Sequence, residues 1–282
     1  ITNVKWYFIV AAFAVGVANS FFASLRLKTL LNVIAEIPVL FIWGASYLAA
    51  LITTFFPFYA GGLSLAYIIA KKVKSSYAKS FAIILIDFMI GVGTTFAFAF
   101  FAFFYFSQKK LLSVNPDAFR NLVFLLLVVL ILILLTILAF VFKFRSKAVD
   151  DFFVRFKRGI TLFSSRTILI KIVVLTLIMI ILGTASSYLN YIAFGMKPPI
   201  IDFLLATSLF GVLGLIPGAP TKIGQYETFG VLTLPYLLNL DKNSVFAMLL
   251  LTHIVSITSA LALGFLSLYF LKLDLEIAKH IV

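Results

Sequence analysis

The feature that most constrains this chain is a series of apolar stretches, each about as long as a bilayer-spanning helix, that recur along the whole sequence. A hydrocarbon core about 30 Å thick requires about 20 apolar residues in a helix. Hydrophobic residues make up 63% of the 282 residues and charged residues only 12%, whereas a soluble domain has roughly 25% charged residues. The apolar runs lack the period-two alternation of barrel strands. The sequence therefore predicts an all-α polytopic membrane protein.

Hydropathy divides the chain into about six full spans and several shorter helices, which leaves no separate soluble domain. Five of these full spans have bounds that the sequence indicates, namely 6–25, 80–106, 122–142, 168–194 and 245–271. We predict shorter helices over 38–55, 61–73, 200–216 and 228–240. Residues 146–165 carry their apolar side chains on one helical face, which is typical of an amphipathic helix lying among lipid headgroups. The chain is thus expected to form one transmembrane domain over 1–282.

Proline and glycine interrupt two of the apolar stretches. Proline lacks a backbone donor and glycine is conformationally permissive, so a continuous helix is not expected at either place. The predicted break residues are Pro57, Gly61, Gly62, Pro217, Gly218, Pro220 and Gly224. We interpret each break as the turn of a re-entrant helix pair. A rival interpretation, in which residues 38–70 cross the membrane fully, stays open at this point.

The two halves of the chain share one order of elements, namely span, short helix, break, short helix and long span. Repeat 1 covers about 6–106 and repeat 2 about 168–271, and the linking span 122–142 lies between them. A single linking crossing would invert the second half. Inverted repeats with broken helices near the membrane midplane are typical of secondary transporters. We therefore predict an inverted repeat.

Basic residues predict the orientation of the chain. Sixteen Lys and Arg residues fall on one predicted side and six on the other. The positive-inside rule places loops 71–79 and 143–171 and the C-terminus in the cytoplasm, which indicates a multi-pass protein of the cell membrane. Anionic lipid headgroups account for the net charge of +13 better than nucleic acid does. Membrane lipids are thus the expected partners, and a homo-oligomer is left open.

Residues 217–227 are the most informative segment for function. Irregular backbone at membrane depth is tolerated only where it is buried in protein or lines an aqueous cavity. Lys222, Gln225, Tyr226 and Glu227 crowd this segment, although a charge at membrane depth costs about 2.5–3.5 kcal/mol on insertion scales. We predict a polar cavity in which Lys222 and helix N-termini hold an anionic group. The alternative is a structural break whose charges reach the headgroups.

Three further polar residues lie at or within the predicted helices. Asp87 lies about two turns inside its span, where it either bonds a neighbouring helix or pairs with a cation or carries a proton. His253 lies at a similar depth in the last span and is either a structural residue or part of the same path. Asp202 follows Pro198 and Pro199 and is interpreted as a helix-capping residue.

Several kinds of chemistry lack their residues in this chain. With no cysteine there is no thiolate nucleophile or Cys-based metal site, and two histidines without an H-E-x-x-H motif do not form a multi-His site. No G-x-x-x-x-G-K-[ST] loop is present, so direct ATP coupling is unsupported. We therefore expect no enzymatic activity, no metal and no cofactor.

The segment from Leu215 to Glu227 resembles the proline- and glycine-rich segment, ending in glutamate, of the lysylphosphatidylglycerol synthase transmembrane family, also called flippase-like membrane proteins. Residues 26–31 are similar to the basic stretch after that family's early span, and residues 56–72 to its first break. The chain departs from the family at Thr221, where a second glycine is common, and at Gln225-Tyr226, which replace small or basic residues. The first break also lacks the usual arginine.

This resemblance implies the lipid-translocating module of the family without its aminoacyl transferase domain. Members usually carry one more span before the equivalent of Trp6, and the sequence begins at Ile1, so a preceding span is expected. The predicted function is a flippase that moves an anionic polar-headgroup lipid, either a phospholipid or a polyprenyl-phosphate-linked lipid, between leaflets. Three alternatives stay open, namely a secondary transporter of a small solute or ion, a non-transporting scaffold, and an intramembrane enzyme on lipid-linked substrates.

Overall fold

The computed structural model describes residues 4–32, 34–56, 60–109, 165–216 and 220–271, and every regular element in these ranges is helical. In chain order the α-helices are α1 Trp6–Leu31, α2 Val39–Phe55, α3 Ala60–Lys72, α4 Tyr77–Gln108, α5 Arg166–Ala193, α6 Ile200–Leu213, α7 Gln225–Leu238 and α8 Lys242–Leu271. A 3-10 turn, Pro220–Lys222, precedes α7. The predicted helices 122–142 and 146–165, together with Pro57, Pro217 and Gly218, lie outside the described residues.

Four helices, α1, α4, α5 and α8, are long and apolar enough to cross a membrane. They contain 26, 32, 28 and 30 residues, and about 20 are sufficient to span the hydrocarbon core. Many of their large apolar side chains point away from the bundle: Phe100 is 60% exposed, Ile181 66% and Tyr269 80%. Lipid rather than water is the solvent that suits such a surface. The chain is therefore a multi-pass helical membrane protein.

Helix α1 continues to Leu31, beyond the predicted end of the first span at residue 25. The prediction ended the span at the first basic residue, Arg26. Arg26 is only 5% exposed and forms an ion pair with Asp87 of α4, so its charge does not require the headgroup region. The predicted end of the span at residue 25 was therefore wrong. Lys28 lies in the last turn of α1, where the helix dipole stabilises a cation.

Each break reverses the chain direction, so that the helices on either side form a hairpin. A Cβ atom on Gly61 would lie 2.4 Å from the backbone oxygen of Ala49, whereas residues 49 and 61 of one straight helix would be about 18 Å apart. Across the second break, the ring centroids of Phe210 and Tyr226 are 5.0 Å apart. The pairs α2–α3 and α6–α7 are thus packed helical hairpins.

The pattern of helix contacts stays the same when the two halves of the bundle are exchanged. Helix α1 packs along α5, α2 along α8, and α4 along α6. If α5–α8 are taken as counterparts of α1–α4, the α2–α8 contact becomes the α6–α4 contact. The contacts α2–α3 and α3–α4 likewise correspond to α6–α7 and α7–α8. The first helix of each hairpin, α2 or α6, also begins after a proline, Pro38 or Pro199, and the two prolines have nearly the same backbone angles.

Two apolar clusters hold the bundle together. One lies around the first hairpin and includes Leu30, Ile42 and Ile69, each 0% exposed. The other lies around the second hairpin and contains Phe203 and Leu234. The hairpins are therefore anchored by separate cores at separate places in the bundle.

Replacing Gly61 by alanine should destabilise the first hairpin, because the new methyl group would lie 2.1 Å from Thr53 Oγ1 and 2.4 Å from the Ala49 oxygen. Overpacking of this kind costs about 1–3 kcal/mol. Gly62 is the matched control, since no atom lies within 4 Å of its Cβ position. In thermal unfolding of the detergent-solubilised protein, G61A should lower the midpoint and G62A should not. Equal midpoints for the two variants would contradict the hairpin packing.

Candidate functional site

The second break has an unusual backbone between α6 and α7. Thr221 and Lys222 both have φ of 58°, and Gly224 has φ of 81°. Glycine adopts this region readily, but a β-branched residue such as Thr221 rarely does. Non-glycine residues held there cost of order 1–3 kcal/mol each and persist only when their surroundings fix them. Contacts to the turn must therefore supply the stabilisation.

Glu227 provides one of these contacts from the first turn of α7. Its Oε2 accepts a hydrogen bond of 2.8 Å from the Gly224 backbone N–H. This bond satisfies a donor at the helix N-terminus that has no partner within the helix. Glu227 is only 5% exposed, so its other carboxylate oxygen also requires a partner inside the protein.

His253 of α8 supplies that partner. Its Nδ1 lies 2.6 Å from Glu227 Oε1, and its Nε2 lies 2.7 Å from the backbone oxygen of Thr221. The imidazole therefore connects α8 to both the turn and the start of α7. The ring of Tyr226 lies with its centroid 5.0 Å from the centroid of the His253 ring. His253 and Tyr226 thus belong to one polar cluster with Glu227.

Lys222 and Gln225 close the other end of the break, where α6 ends. Lys222 Nζ donates to the Gly214 carbonyl, and Gln225 Nε2 donates to the Ile216 carbonyl over 3.1 Å. Carbonyls at a helix C-terminus lack partners within the helix, and the negative end of the helix dipole also stabilises a cation there. No carboxylate among the described residues forms an ion pair with Lys222, so the ammonium has further donors that are not matched to an acid.

Asp87 lies in a different cluster. Arg26 Nε is 2.8 Å from Asp87 Oδ1 and a second guanidinium nitrogen is 3.2 Å from Oδ2, which makes the pair bidentate. A third nitrogen of Arg26 donates to Thr176 Oγ1 on α5 over 3.3 Å. The pair shares no hydrogen bond or ion pair with Glu227 or His253. Asp87 therefore bonds a neighbouring helix, α1, and its partner there is a cation, Arg26.

Asp202 forms no capping hydrogen bond, so its interpretation as a capping residue was wrong. The residue before α6 is Pro199, and Asp202 lies within the first turn. Its carboxylate accepts hydrogen bonds from the Tyr105 hydroxyl and from Lys109 Nζ, the latter over 2.9 Å. The hydrogen bonds that Lys109 makes with Tyr105 and Asp202 raise the pKa of Lys109. This cluster ties the end of α4 to the start of α6.

The first of two cavities lies between α1, α2, α5 and α8 and has a volume of ≈ 280 Å³. No charged residue occurs among the described side chains that line it. Hydroxyl groups are frequent in its wall: Ser20, Tyr47, Ser186, Thr252, Ser256 and Ser259. Thr252 also hydrogen-bonds the side chain of Tyr226, so the wall of this cavity adjoins the Glu227 cluster.

The second cavity lies between α4, α5 and α6 and has a volume of ≈ 240 Å³. Its described lining is likewise uncharged and rich in hydroxyl groups: Thr94, Thr95, Thr184, Ser187, Thr207 and Ser208. The α1 wall of the first cavity includes Gly16 and Ser20, and the α5 wall of the second includes Gly183 and Ser187. These residues occupy matching places in the pentapeptides at 16–20 and 183–187, which read Gly-Val-Ala-Asn-Ser and Gly-Thr-Ala-Ser-Ser.

The same pentapeptides form the contact between α1 and α5. A Cβ on Gly16 would lie 3.4 Å from Ser186 Oγ, and a Cβ on Gly183 would lie 3.5 Å from Asn19 Nδ2. Each glycine therefore faces the polar residue of the other helix. Sequence analysis missed these cavity residues and Arg26. The repeated glycine–polar spacing was the available signal for the cavities, and the need of Asp87 for a cation was the signal for Arg26.

Six residues were predicted to form the polar path. Asp87 lies apart, and the other five lie together at the second break: Lys222, Gln225, Tyr226, Glu227 and His253. Within the described part of the chain, no group of three or more His, Asp or Glu side chains is placed to hold a metal ion. The acidic members are instead matched in pairs, Glu227 with His253 and Asp87 with Arg26. The arrangement therefore offers neutral pairs and hydroxyl-lined cavities.

Replacing Arg26 by leucine should strongly destabilise the protein, because it leaves the Asp87 carboxylate without its cation inside the bundle. Removing one partner of a buried ion pair costs about 3–5 kcal/mol, whereas replacing both partners by apolar residues is often neutral. In thermal unfolding, R26L should lower the midpoint, R26L/D87L should recover most of the loss, and the control K28L should have little effect. A double variant no more stable than R26L would refute this role for the pair.

Comparison with known proteins gives one family. Residues 1–264 match the family described as the lysylphosphatidylglycerol synthase TM region. No curated protein and no solved structure is significantly similar to the chain. The match covers α1, α4 and α5, most of α8, both hairpins and the polar cluster around Glu227. This chain belongs to the lysylphosphatidylglycerol synthase transmembrane-region family.

Proposed function

We propose that the protein moves an anionic polar-headgroup lipid between the two leaflets of the cell membrane. The observation that supports this proposal most directly is the pair of hydroxyl-lined cavities inside a bundle whose outer surface is apolar. A lipid headgroup needs hydrogen-bonding partners while it crosses, and its acyl chains can stay in the bilayer. Membership of a family named for lipid chemistry adds support.

The cavity volumes suit a headgroup better than a whole lipid. At ≈ 280 and ≈ 240 Å³, they fall near the lower end of small-molecule pockets, about 300–1,000 Å³. A phosphate with a small polar substituent fits such a volume, and a diacyl lipid does not. Because the described lining is uncharged, it can hydrogen-bond a passing phosphate without holding it as tightly as an unpaired cation would.

The two halves are proposed to form an inverted repeat in which α2–α3 and α6–α7 are re-entrant hairpins. The exchanged helix contacts and the matching pentapeptides support this arrangement. An inverted repeat would direct the two cavities toward opposite leaflets, as alternating access requires. In this orientation the basic loop 71–79, residues 143–171 and the C-terminus lie on the cytoplasmic side.

Lys222 is proposed to attract the phosphate at the second break. Its ammonium donates one hydrogen bond to the Gly214 carbonyl and has no carboxylate partner among the described residues. The N-terminus of α7 lies close by in sequence and adds the positive end of a helix dipole. An arriving phosphate can therefore take up the donors that the Gly214 carbonyl leaves unused. Gln225 and Glu227 are proposed to keep the turn in shape.

The same cavities also suit a small water-soluble solute, so a secondary transporter of such a solute or ion is the second candidate. The two functions differ in what must pass through the protein. A lipid translocase must open sideways to the bilayer, whereas a solute transporter need not. Vesicles that contain the protein should move labelled phospholipid in the first case and take up a soluble anion such as glycerol phosphate in the second.

Replacing Lys222 by methionine should slow the translocation of anionic lipid by about 10–100-fold, which corresponds to the loss of a charge-assisted hydrogen bond worth about 1.5–3 kcal/mol. The measurement is the rate at which headgroup-labelled lipid changes leaflet in vesicles that contain the full chain. Zwitterionic lipid should be affected less, because its net charge is zero.

Lys242 is the matched control, since it is exposed at the start of α8. K242M should translocate lipid at the rate of the parent protein. Parent-like rates in well-folded K222M would remove Lys222 from the path. A parent protein that moves no lipid but imports the soluble anion would replace the proposed function by the second candidate.

A further inference from the structure

The hydrogen bonds of His253 fix where protons must be in the cluster. The Nε2 atom lies 2.7 Å from the Thr221 carbonyl oxygen. A carbonyl oxygen can only accept a hydrogen bond, so Nε2 must carry a hydrogen. The tautomer of a histidine is set in this way by the partner of one of its ring nitrogens. The state of Nδ1 then depends on Glu227 alone.

The contact between Nδ1 and Glu227 Oε1, at 2.6 Å, requires one further proton. This proton lies either on Nδ1, which gives an imidazolium and a carboxylate, or on Oε1, which gives a neutral imidazole and a carboxylic acid. Both arrangements leave the pair with zero net charge. If the proton is lost, a lone pair of Nδ1 faces the carboxylate, and a buried negative charge loses its partner. The two groups therefore bind and release this proton as a unit.

The surroundings make the bound proton structurally important. Glu227 also accepts the Gly224 N–H through Oε2, and His253 also donates to Thr221. The pair therefore holds both ends of a turn whose residues Thr221 and Lys222 have φ of 58°. Loss of the proton replaces the hydrogen bond between Nδ1 and Oε1 by repulsion between the Nδ1 lone pair and the carboxylate. His253 and Glu227 then no longer hold Thr221 and Gly224 in one arrangement, and the strained turn is released.

Few other titratable groups face the pair from the elements packed around it. Tyr226 on α7 packs against the imidazole with its ring tilted by 55°, and Tyr191 on α5 lies in the same apolar cluster as Tyr226. Lys222 belongs to the turn itself. Helix α2, which contacts the turn, carries Tyr47 as its one titratable residue. The ordinary pKa values of tyrosine and lysine side chains are about 10, so the proton shared by Glu227 and His253 is the one expected to respond around neutral pH.

We propose that Glu227 and His253 form a proton-binding site whose bound proton holds the 220–224 turn against α8. Binding takes one proton from the aqueous phase and release returns it, with no other change of bonds. At low pH the turn is latched, and at high pH it is free. The role of this site in transport rests on the proposed function. The bound proton is the ligand that fixes or releases the 220–224 turn beside Lys222.

The test uses the chain's lack of cysteine, since a single cysteine introduced at Thr221 reports on the turn alone. This change keeps the Thr221 backbone oxygen that His253 contacts. The measurement is the rate at which T221C reacts with a charged thiol reagent between about pH 5.5 and 8.5, relative to an exposed control, N243C. At pH values below the midpoint of proton release, the reaction rate of T221C relative to that of the control should rise about tenfold per pH unit, the slope for one proton.

Glu227→Gln provides the matched variant, because glutamine resembles the protonated acid. Its amide nitrogen can donate to Nδ1 while its amide oxygen accepts from Gly224, so the turn should remain latched at every pH. T221C/E227Q should thus show a low relative rate that does not change with pH, whereas T221C/H253A should show a high one. A pH slope in T221C/E227Q equal to that of T221C would overturn the proposal, and so would a relative rate in T221C that is flat across this pH range.

Transport is measured separately in vesicles with an imposed pH difference. Lipid translocation by the parent should change with that difference, and translocation by E227Q should not. If the parent moves no lipid while T221C follows the expected slope, the proposed function fails and the proton site stands. If the parent and E227Q move lipid at the same rate under the pH difference, and the reaction rate of T221C does not change with pH, the proton site is refuted and lipid translocation stands.

Discussion

A break in an apolar helix leaves polar backbone groups without helical partners, and groups that water does not reach must find partners inside the protein. Four side chains satisfy the groups that the missing helical turns leave open. The pairs are Lys222 with Gly214, Gln225 with Ile216, His253 with Thr221 and Glu227 with Gly224. The polar residues that attract attention in the sequence are thus the residues that make an interrupted helix possible, and function must be built on this structural requirement.

Charge neutrality follows from the same constraint. Asp87 is matched by Arg26 across α4 and α1, and Glu227 by His253 across α7 and α8. The cavities between the helices carry hydroxyl groups instead of charges along their described walls. A path of this kind can lower the cost of moving a polar headgroup without trapping it, and it leaves Lys222 as the local attraction for phosphate. Structure and proposed transport therefore depend on one arrangement.

Much of this architecture could be predicted from the sequence. Long apolar runs identify α1, α4, α5 and α8 because their length and composition are sufficient, and glycine and proline mark both hairpins. The residues around Glu227 could be singled out because charges at membrane depth are costly. Arg26 was misplaced, since a basic residue near a helix end normally reaches the headgroups, and only its tertiary partner Asp87 reveals its burial. The hydroxyl-lined cavities were missed because serine and threonine inside apolar helices carry little signal until neighbouring helices bring them together.

If these cavities are wet passages between the helices of an apolar bundle, a water-soluble reagent should enter them. The cysteine-free sequence allows this entry to be measured directly. Single cysteines would replace Ser259 in the first cavity, Ser208 in the second and the outward-facing Ile181, which is 66% exposed on α5. A charged, membrane-impermeant thiol reagent would be added to each side of sealed vesicles in turn. The account predicts that S259C and S208C react from opposite sides while I181C stays protected by lipid. Cavity cysteines as unreactive as I181C would contradict it.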